Sequence, residues 1–498
     1  MRTHSATHIL AIDQSTSATK TMLFNRKGKL VDRISLSHRA YYPSPGFVEQ
    51  DPGEIFRNTL SGMEKILAKN KVRPAELAGI AITNQRETAM IWDRNTGEPV
   101  TRAAVWQCQR GAEYCEEIKV KGYSGMIAEK TGLLIDPYFS ASKLHWIMRT
   151  YPELAGRAEM GELLLGTMDS WLLWRLTGGK VHATDYSNAC RTMLFNIKTL
   201  QWDAELMDLF GLFPNMFPEV RFSDEIFGTT DPGTLFDLPV PIAGLMGDSH
   251  AALVGQQCFA PGMGKATYGT GSSVMIHTGI DPGVPPEGLV TSIGYGIQNK
   301  IHYVFEGNIH STGDTINWLI HELGLINSAD EAEKLATSVK DNQEVYLVPA
   351  FTGLGAPYWD HSARACLSGM SRNTTRAHVA RAALESIAYQ IRDLIRQMET
   401  QGNTPLKELR VDGGPTRNNF LMQFQADILG RKVICSGIEE ISALGATYVA
   451  GLATGFWKDL EEIRALKDAG RVYEPAMDQE KASRLYDGWT RAVERARL

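Results

Sequence analysis

Residues 13–17 read DQSTS and follow a short apolar run, residues 8–12, that is predicted to be a strand. Residues 268–272 (YGTGS) repeat this arrangement after a second strand-like run, residues 263–267, and a double glycine follows residues 409–411. Small residues and hydroxyls at the end of a strand let the backbone approach a phosphate group closely. Two such loops in different halves of the chain, with the double glycine, predict two matching domains that close on one nucleotide.

The composition is that of an ordinary globular protein. The 498 residues are about three times the length of a typical domain, which predicts two large domains. With 43% apolar and 22% charged residues, the chain is not of the disordered class. A net charge of −6 and the lack of a dense Lys/Arg block argue against a nucleic-acid partner. No apolar stretch approaches the roughly 20 residues that span a membrane, and residues 1–8 lack the apolar core of a signal peptide.

The cysteines are scattered along the chain, and no two of them form a C-x-x-C pair. This spacing disfavours a metal site or a disulfide framework, and it predicts a location in the reducing cytoplasm. The six positions are Cys108, Cys115, Cys190, Cys258, Cys366 and Cys435.

Alternating strand and helix signals predict α/β domains. The strongest helix signal is residues 376–400, where apolar residues recur at spacings of three and four and Thr374 or Thr375 can cap the start. Residues 263–278 repeat the strand–loop–strand theme of the N-terminus, which places a domain boundary near residue 256 and gives domains of residues 1–256 and 257–498. Further strands are predicted at 20–25, 30–35, 77–83, 90–93, 409–411 and 432–435, and further helices at 418–429 and 442–455.

Several motifs give the chain a specific resemblance from about residue 8 to residue 490. They are TNQRET at 83–88, VWQC at 105–108, IDPYF at 135–139, RTMLFN at 191–196 and PAFTGLGAPYWD at 349–360. Together they resemble the FGGY carbohydrate kinases, and among these the glycerol kinases. The resemblance implies two actin-like ATPase domains of the ribonuclease H-like α/β fold that flank a catalytic cleft, with ATP, Mg²⁺ and the substrate bound between them.

On the nucleotide side, the resemblance assigns Asp13 to magnesium and its waters, since Mg²⁺ keeps several waters and few protein ligands; an Asp that caps a turn is the alternative. Lys20 stands where the family usually has Arg, so the bidentate contact that a guanidinium makes with phosphate is lost. Gly414 and Asn418 have simpler alternatives, as a turn residue and a helix-start residue. The residues implied to bind the nucleotide are Thr16, Ser17, Lys20, Thr270, Gly313, Asn317, Gly414 and Asn418.

On the acceptor side, the resemblance makes Asp248 the general base, which takes the proton of the substrate hydroxyl as its oxygen attacks the γ-phosphate. Arg86 and Glu87 are a pair that can donate to and accept from the hydroxyls of a polyol, although an Arg-Glu pair is otherwise usually on the solvated surface. Trp106 and Tyr138 are implied to line the carbon chain, with a core role as the alternative for Trp106. We expect structural roles for Arg110, Lys143 and Trp146.

Two departures from glycerol kinases concern the substrate pocket. Ser249 replaces the usual Gln after the catalytic Asp, and Ser273 replaces the usual Phe beyond the second G-T-G. Both replacements are smaller, so we expect a larger and more polar pocket in which both serines contact substrate.

The predicted function is therefore ATP-dependent phosphorylation of a primary hydroxyl of a small polyol, with glycerol as the first choice. The alternative is a kinase for a larger polyol or ketose (a tetritol, pentitol or pentulose). A third hypothesis, of another class, is a non-enzymatic actin-fold ATPase switch, which would be expected to lack a polar pocket such as that of Arg86 and Glu87. The expected partners are ATP and a small polyol, in a homo-oligomer, dimer or tetramer.

Overall fold

The computed structural model describes residues 6–234, 236–466 and 470–498. Residues 1–5, which belong to the polar N-terminal segment discussed above, lie outside this description, as do parts of the two predicted domains at residues 235 and 467–469.

The N-terminal half is built around two sheets. Its helices are α1 (Pro52–Asn70), α2 (Ala112–Val120), α3 (Ser124–Thr131), α4 (Ser140–Thr150), α5 (Leu154–Glu159), α6 (Met168–Leu176), α7 (Tyr186–Ala189), α8 (Ala204–Leu209) and α9 (Asp248–Gly255). Its strands are β1 (His8–Gln14), β2 (Ala18–Asn25), β3 (Leu30–Ser37), β4 (Ala40–Tyr41), β5 (Glu49–Gln50), β6 (Leu77–Asn84), β7 (Ala89–Asp93), β8 (Ala103–Ala104), β9 (Leu163–Thr167), β10 (Ala183–Asp185), β11 (Phe195–Asn196), β12 (Gln201–Trp202), β13 (Glu219–Arg221), β14 (Ile226–Thr229) and β15 (Pro241–Gly247).

The C-terminal half has one large sheet with helices packed on it. Its strands are β16 (Met263–Tyr268), β17 (Ser272–Gly279), β18 (Val290–Ile297), β19 (Lys300–Ile309), β20 (Tyr346–Val348), β21 (Cys366–Ser368), β22 (Glu408–Gly413), β23 (Lys432–Cys435) and β24 (Arg471–Tyr473). Its helices are α10 (Gly313–His321), α11 (Ala329–Ser338), α12 (Arg376–Thr400), α13 (Asn419–Leu429), α14 (Ile441–Thr454), α15 (Leu460–Arg464) and α16 (Gln479–Ala496).

The two large sheets share a strand arrangement. Within the described residues, the N-terminal sheet has the order β14-β15-β6-β1-β2-β3 and the C-terminal sheet the order β18-β19-β17-β16-β22-β23-β24. Each first strand, β1 or β16, pairs antiparallel with the next strand and parallel with a later one, β6 or β22. The strand–loop–strand theme of the sequence therefore corresponds to the same topology in both halves.

Local sequence signals explain why the elements begin where they do. The Asp51 side chain accepts a hydrogen bond from Gly53 N at the start of α1, with Pro52 in the first turn. Thr375 and His378 exchange hydrogen bonds at the start of α12, which runs over the predicted residues 376–400. The predicted strand 432–435 is confirmed, and the other predicted strands and helices are confirmed to within two residues at each end.

The halves are packed against each other rather than merely tethered. One hydrophobic core combines β1 residues Ile9 and Ala11 with Met275 and Val304 of the C-terminal sheet and with Val449 of α14. Helix α14 contacts α9, β15, β6 and β1, so an element from the second half covers the sheet of the first. This packing fixes the edges of the two sheets that face the cleft. No helix in the described part of the chain has the length and apolar character needed to cross a membrane.

Candidate active site

The site lies where parallel strands end. β6 pairs parallel with β1 on one side and with β15 on the other, so the carboxyl ends of all three strands share one edge of the sheet. Asp13 lies at the end of β1, Arg86 and Glu87 follow β6, and Asp248 follows β15. Residues that bind ligands collect at this edge in open α/β sheets. The topology thus brings together four residues that are up to 235 positions apart in the sequence.

Asp248 is the first residue of α9 and faces the Arg86 guanidinium. Its Oδ1 lies 3.4 Å from Arg86 Nε and accepts a hydrogen bond from Ser249 N at 2.6 Å. Although 38% of its side-chain surface is exposed, desolvation in the cleft raises the pKa of Asp248, and Arg86 opposes that rise. A carboxylate with a raised pKa that still touches solvent suits proton transfer near neutral pH.

Beneath Asp248 lies a buried cluster of four charges, the charge cluster, which consists of Arg86, Glu87, Arg191 and Glu306. Glu306 accepts from Arg86 Nη2 at 3.0 Å and Nη1 at 3.2 Å, and it lies 2.9 Å from Arg191 Nη1. Arg191 Nε donates to Glu87 Oε1 at 2.7 Å. Each of the four residues is at most 5% exposed. The two guanidiniums outweigh desolvation and hold the pKa of Glu306 well below its usual range.

Arg86 and Glu87 are adjacent in the sequence, yet both side chains belong to the charge cluster. Glu87 has φ +62°, a left-handed conformation that breaks the strand alternation after β6. Arg86 and Glu87 therefore both turn inward and are 5% and 1% exposed. The alternative that Arg86 and Glu87 are a solvated surface pair is wrong. The site also contains polar side chains of the kind that an actin-fold ATPase switch would be expected to lack.

Trp106 and Tyr138 form the apolar wall beside these charges. Their rings meet edge to face with centroids 5.5 Å apart, and both residues are half-buried. Trp106 Nε1 donates to Thr16 Oγ1 at 3.0 Å, in the loop between β1 and β2. Trp106 is therefore not a core residue. It connects Tyr138, with which it forms the acceptor wall, to the loop of residues 15–17, named the first phosphate loop after its predicted role.

Replacing Trp106 by Phe tests this connection. Trp106→Phe keeps an aromatic wall but removes one hydrogen bond worth about 0.5–1.5 kcal/mol. We expect kcat/KM for ATP to fall about 2- to 10-fold. Trp202→Phe is the matched control, because it removes a comparable indole bond, to Pro218 O at 2.8 Å, elsewhere in the N-terminal half. Equal kinetics for parent and Trp106→Phe in a steady-state assay would contradict the role of this bond.

Lys143 holds the loop that carries Tyr138. Its ammonium donates to the carbonyl oxygens of Pro137 and Tyr138, both at 2.6 Å, and of Phe139 at 3.1 Å. The side chain is fully buried, and burial lowers the pKa of Lys143 to about 8. Arg110 likewise bonds Glu49 at 2.6 Å and stacks on Phe47 and Trp146. The structural roles that the sequence analysis gave to Lys143, Arg110 and Trp146 fit these contacts.

Lys143→Met should therefore loosen the acceptor wall without touching the chemistry. Each buried carbonyl that loses its partner costs about 1–3 kcal/mol, so we expect a lower melting temperature. We also expect KM for the acceptor to rise several-fold while kcat changes less, because Tyr138 loses its support. Lys119→Met, on the partly exposed face of α2, is the control. A variant with parental melting temperature and KM would show that the three bonds contribute nothing.

On the nucleotide side, Asp13 is buried beside one lysine and near two further carboxylates. It lies 3.6 Å from Lys20, which also bonds Glu440 at 2.9 Å, and Arg33 contacts the other oxygen of Glu440 at 2.5 Å. Burial is the main reason that the pKa of Asp13 rises to about 7; Asp248 and Glu440 add to the rise, and Lys20 opposes it. Because burial, Asp248 and Glu440 all disfavour the charged form of Asp13, a bound cation held through water would stabilise that form. Among the described residues, no three His, Cys, Asp or Glu side chains form a metal cluster.

The loop of residues 269–271, named the second phosphate loop after its predicted role, is joined to the start of α10. Thr312 N and Asp314 N donate to Thr270 O at 2.8 and 3.2 Å, and Gly313 N donates to Gly269 O at 2.9 Å. A Cβ at Gly313 would lie 2.7 Å from that oxygen, so glycine is required there by close approach. Thr270 is exposed and stands beside the start of α10, whose first backbone N–H groups are bonded to the loop carbonyls; the helix dipole makes this end favourable for an anion.

The double glycine completes this side of the cleft. Gly413 has φ +99°, and a Cβ there would clash with Tyr268 O at 2.0 Å, so β22 can end against the second phosphate loop only with glycine. Gly414 has open space around it. Asn418 caps α13 by accepting from Leu421 N at 2.8 Å, and Asn317 is exposed on α10. The structure thus gives Asn418 the helix-start role that the sequence left open.

Sequence reasoning missed several residues of this site. Glu306 and Arg191 complete the charge cluster, and Lys265 donates to Ser249 Oγ at 2.6 Å. Ser249 Oγ lies 2.9 Å from Ser273 Oγ, so the two serines singled out from the sequence are direct partners. The sequence does set Glu306 apart, because it is the one acidic residue in the strand-like run 301–309. The neighbouring sequence does not indicate which charged residues it pairs with.

Two models of one protein family match most of this chain. A model described as the FGGY family of carbohydrate kinases, N-terminal domain, matches residues 8–255, and its C-terminal counterpart matches residues 264–454. The chain belongs to the FGGY family of carbohydrate kinases. It is an ATP-dependent kinase with the two-domain α/β fold that the sequence predicted.

The chain is similar to glycerol kinases over its whole length. It is 52% identical over 486 residues to glycerol kinase 1 of Thermotoga maritima, covering 98% of this chain and 99% of the relative. Identity to a glycerol kinase of Symbiobacterium thermophilum is 50% over 491 residues, 98% of each chain. The crystal structure of Plasmodium falciparum glycerol kinase with ADP superposes with a TM-score of 0.94 at 36% identity, over 99% of this FGGY kinase and 98% of that chain.

Proposed function

We propose that this FGGY kinase transfers the γ-phosphoryl group of ATP to a primary hydroxyl of glycerol, which yields glycerol 3-phosphate and ADP. The observation that carries the proposal is the position of the Asp248 carboxylate at the cleft, 3.4 Å from Arg86 and directly above the charge cluster. The full-length similarity to glycerol kinases supports glycerol as the acceptor.

In this mechanism, Asp248 accepts the proton of the acceptor hydroxyl as its oxygen attacks the terminal phosphorus. Arg86 favours the charged form of Asp248 and donates to acceptor oxygens, and Glu87 accepts from acceptor hydroxyls. Trp106 and Tyr138 cover the carbon atoms and exclude water, which protects ATP from hydrolysis. Phosphoryl transfer demands mainly positioning and neutralisation of charge, so one carboxylate base suffices.

On the donor side, we propose that the hydroxyls of Thr16, Ser17 and Thr270 contact the phosphates of ATP. Gly313, Asn317, Gly414 and Asn418 would contact the rest of the nucleotide. The Nδ2 group of Asn418, which has no hydrogen-bond partner in the described part of the chain, would be the donor of Asn418. Lys20 would reach a phosphate by leaving Glu440. We propose Asp13 as the residue that holds Mg²⁺ through its waters; the bound ion would neutralise phosphate charge.

A coupled assay of ADP release tests the proposal. With purified protein, ATP and Mg²⁺, glycerol should stimulate ADP release, and mass spectrometry should identify glycerol 3-phosphate. Acceptor-independent ADP release without a phosphorylated product would instead support the switch hypothesis and reject a kinase for glycerol.

Three further statements are proposals of the same kind. We propose domains of residues 1–256 and 257–498, a homo-oligomeric enzyme (dimer or tetramer), and a cytoplasmic location. The six cysteines are all unpaired, which supports a reducing compartment. Light scattering would measure the oligomer directly.

A further inference from the structure

A row of polar side chains extends from Asp248 along the C-terminal sheet. We define the polar row as Ser249, Ser273 and Asn308. Ser273 on β17 and Asn308 on β19 are directly paired in the antiparallel register, so their side chains stand together on one face of the sheet. Glu306 lies two residues before Asn308 on that same face, which is the face that contacts Arg86. The polar row therefore borders the acceptor pocket.

Hydrogen bonding within the polar row leaves one hydroxyl hydrogen unused. Lys265 Nζ has only hydrogens to offer, so Ser249 Oγ accepts from it at 2.6 Å. Ser249 Oγ and Ser273 Oγ lie 2.9 Å apart, and either hydroxyl can donate the bond between them. The hydrogen of the other serine remains available, and the Asn308 side-chain amide makes no hydrogen bond to the described residues, 6–234, 236–466 and 470–498. One free donor stands beside an amide that can donate and accept.

The exposure of these residues points to a ligand rather than to core packing. Ser249, Ser273 and Asn308 are each partly exposed, whereas Lys265 behind them is fully buried. A neutral hydroxyl, which both donates and accepts, matches a hydroxyl beside an amide. In the proposed function, Asp248, Arg86 and Glu87 account for the three hydroxyls of glycerol. The polar row thus has bonding capacity left for one more hydroxyl.

We propose that the polar row binds the hydroxyl of a fourth carbon, so that the enzyme also phosphorylates linear four-carbon polyols. This inference rests on the proposed function, because it uses the same donor and base. The terminal hydroxyl oxygen of the tetritol forms a bond to the γ-phosphorus while the bond from that phosphorus to the β-phosphate bridging oxygen breaks. The hydroxyl proton passes to Asp248 and then to solvent, and the products are a tetritol monophosphate and ADP.

The experiment compares glycerol, erythritol, D-threitol and L-threitol by ADP release, with mass spectrometry of the products. We expect kcat/KM for at least one tetritol to exceed one-hundredth of the value for glycerol. Ser273→Phe should lower the tetritol-to-glycerol ratio of kcat/KM at least tenfold, because the ring fills the space beside Asn308. Asn308→Ala should lower the same ratio without adding bulk, so it decides the question if Ser273→Phe fails to fold. Asn95→Ala, in an exposed turn after β7, is the matched control and should leave the ratio unchanged.

The possible failures are distinguishable. If glycerol is phosphorylated and every tetritol stays below one-hundredth, the proposed function holds and this inference is overturned. If tetritols are used but neither Asn308→Ala nor Ser273→Phe changes the ratio, the assignment to the polar row is overturned. If tetritols are phosphorylated but glycerol is not, the subsite stands and the proposed acceptor is wrong. If no polyol is phosphorylated, both proposals fail.

Discussion

Asp248→Asn is expected to lower kcat by about 10²–10⁴, the usual contribution of a general base, while KM for glycerol changes only a few-fold. The amide keeps the shape of the carboxylate, including an oxygen that can accept from Ser249 N, but it cannot take the hydroxyl proton. Arg86 remains bound to Glu306 in the variant, so the acceptor pocket should stay formed.

The control for this prediction is Asp487→Asn, an equivalent change on the exposed face of α16. Steady-state kinetics with both substrates varied would separate kcat from KM, and thermal unfolding would verify that the variant is folded. A kcat within threefold of the parent would remove Asp248 from the role of base.

Glu306→Gln is expected to have the largest effect on stability. It removes one of two carboxylates from a cluster with two guanidiniums and leaves a net buried positive charge. Breaking a buried ion pair by removing one partner costs about 3–5 kcal/mol. We expect a clear fall in melting temperature and in the midpoint of urea unfolding, and a loss of activity because Arg86 loses its anchor.

A second variant separates charge balance from packing. In the double variant Glu306→Gln with Arg191→Met, Arg86 and Glu87 balance each other again, so the destabilisation should be smaller than the sum of the two single changes. Glu494→Gln, exposed on α16, is the control. Strict additivity of the two single effects would show that Glu306 and Arg191 are not coupled.

The acid side of the stability profile gives an independent measurement. Arg191 and Arg86 hold the pKa of Glu306 below that of an unfolded glutamate, 4.5. Its contribution to stability is therefore fully present above pH 4.5 and is lost as the pH falls through the lower folded pKa. The melting temperature of the parent should thus decline more steeply below pH 4.5 than that of Glu306→Gln.

The sequence predicted the parts of the site that are encoded locally. Strand runs that end in Gly, Ser or Thr located both phosphate loops, and the motif after β6 located Arg86 and Glu87. The charge cluster was not predicted because its members lie after β6, after α7 and on β19. The two ion pairs join residues about 100 and 220 positions apart. Only the fold brings such residues together, since pairing depends on sheet register and on the left-handed turn at Glu87 rather than on spacing in the chain.

Only part of the polar row could be predicted from the sequence. Ser249 and Ser273 were identified from the sequence because they depart from a family pattern. Asn308 was identified only from the structure, through its pairing with Ser273. Residues that face a ligand from neighbouring strands cannot be grouped until the strand order is known. The order β19-β17-β16-β22 supplies that grouping here.

The two halves depend on each other for folding. Ile9, Val304 and Val449 share one hydrophobic core, and Glu306 pairs with charges from the other half. Each half has a core of its own, but neither half, cut free near residue 256, would bury the apolar surface of the shared core, and Glu306 would lose both of its guanidinium partners. Early folding intermediates of nascent chains on the ribosome should therefore stay incomplete until α14 has emerged, and engineered splits of the gene would have to express both fragments together.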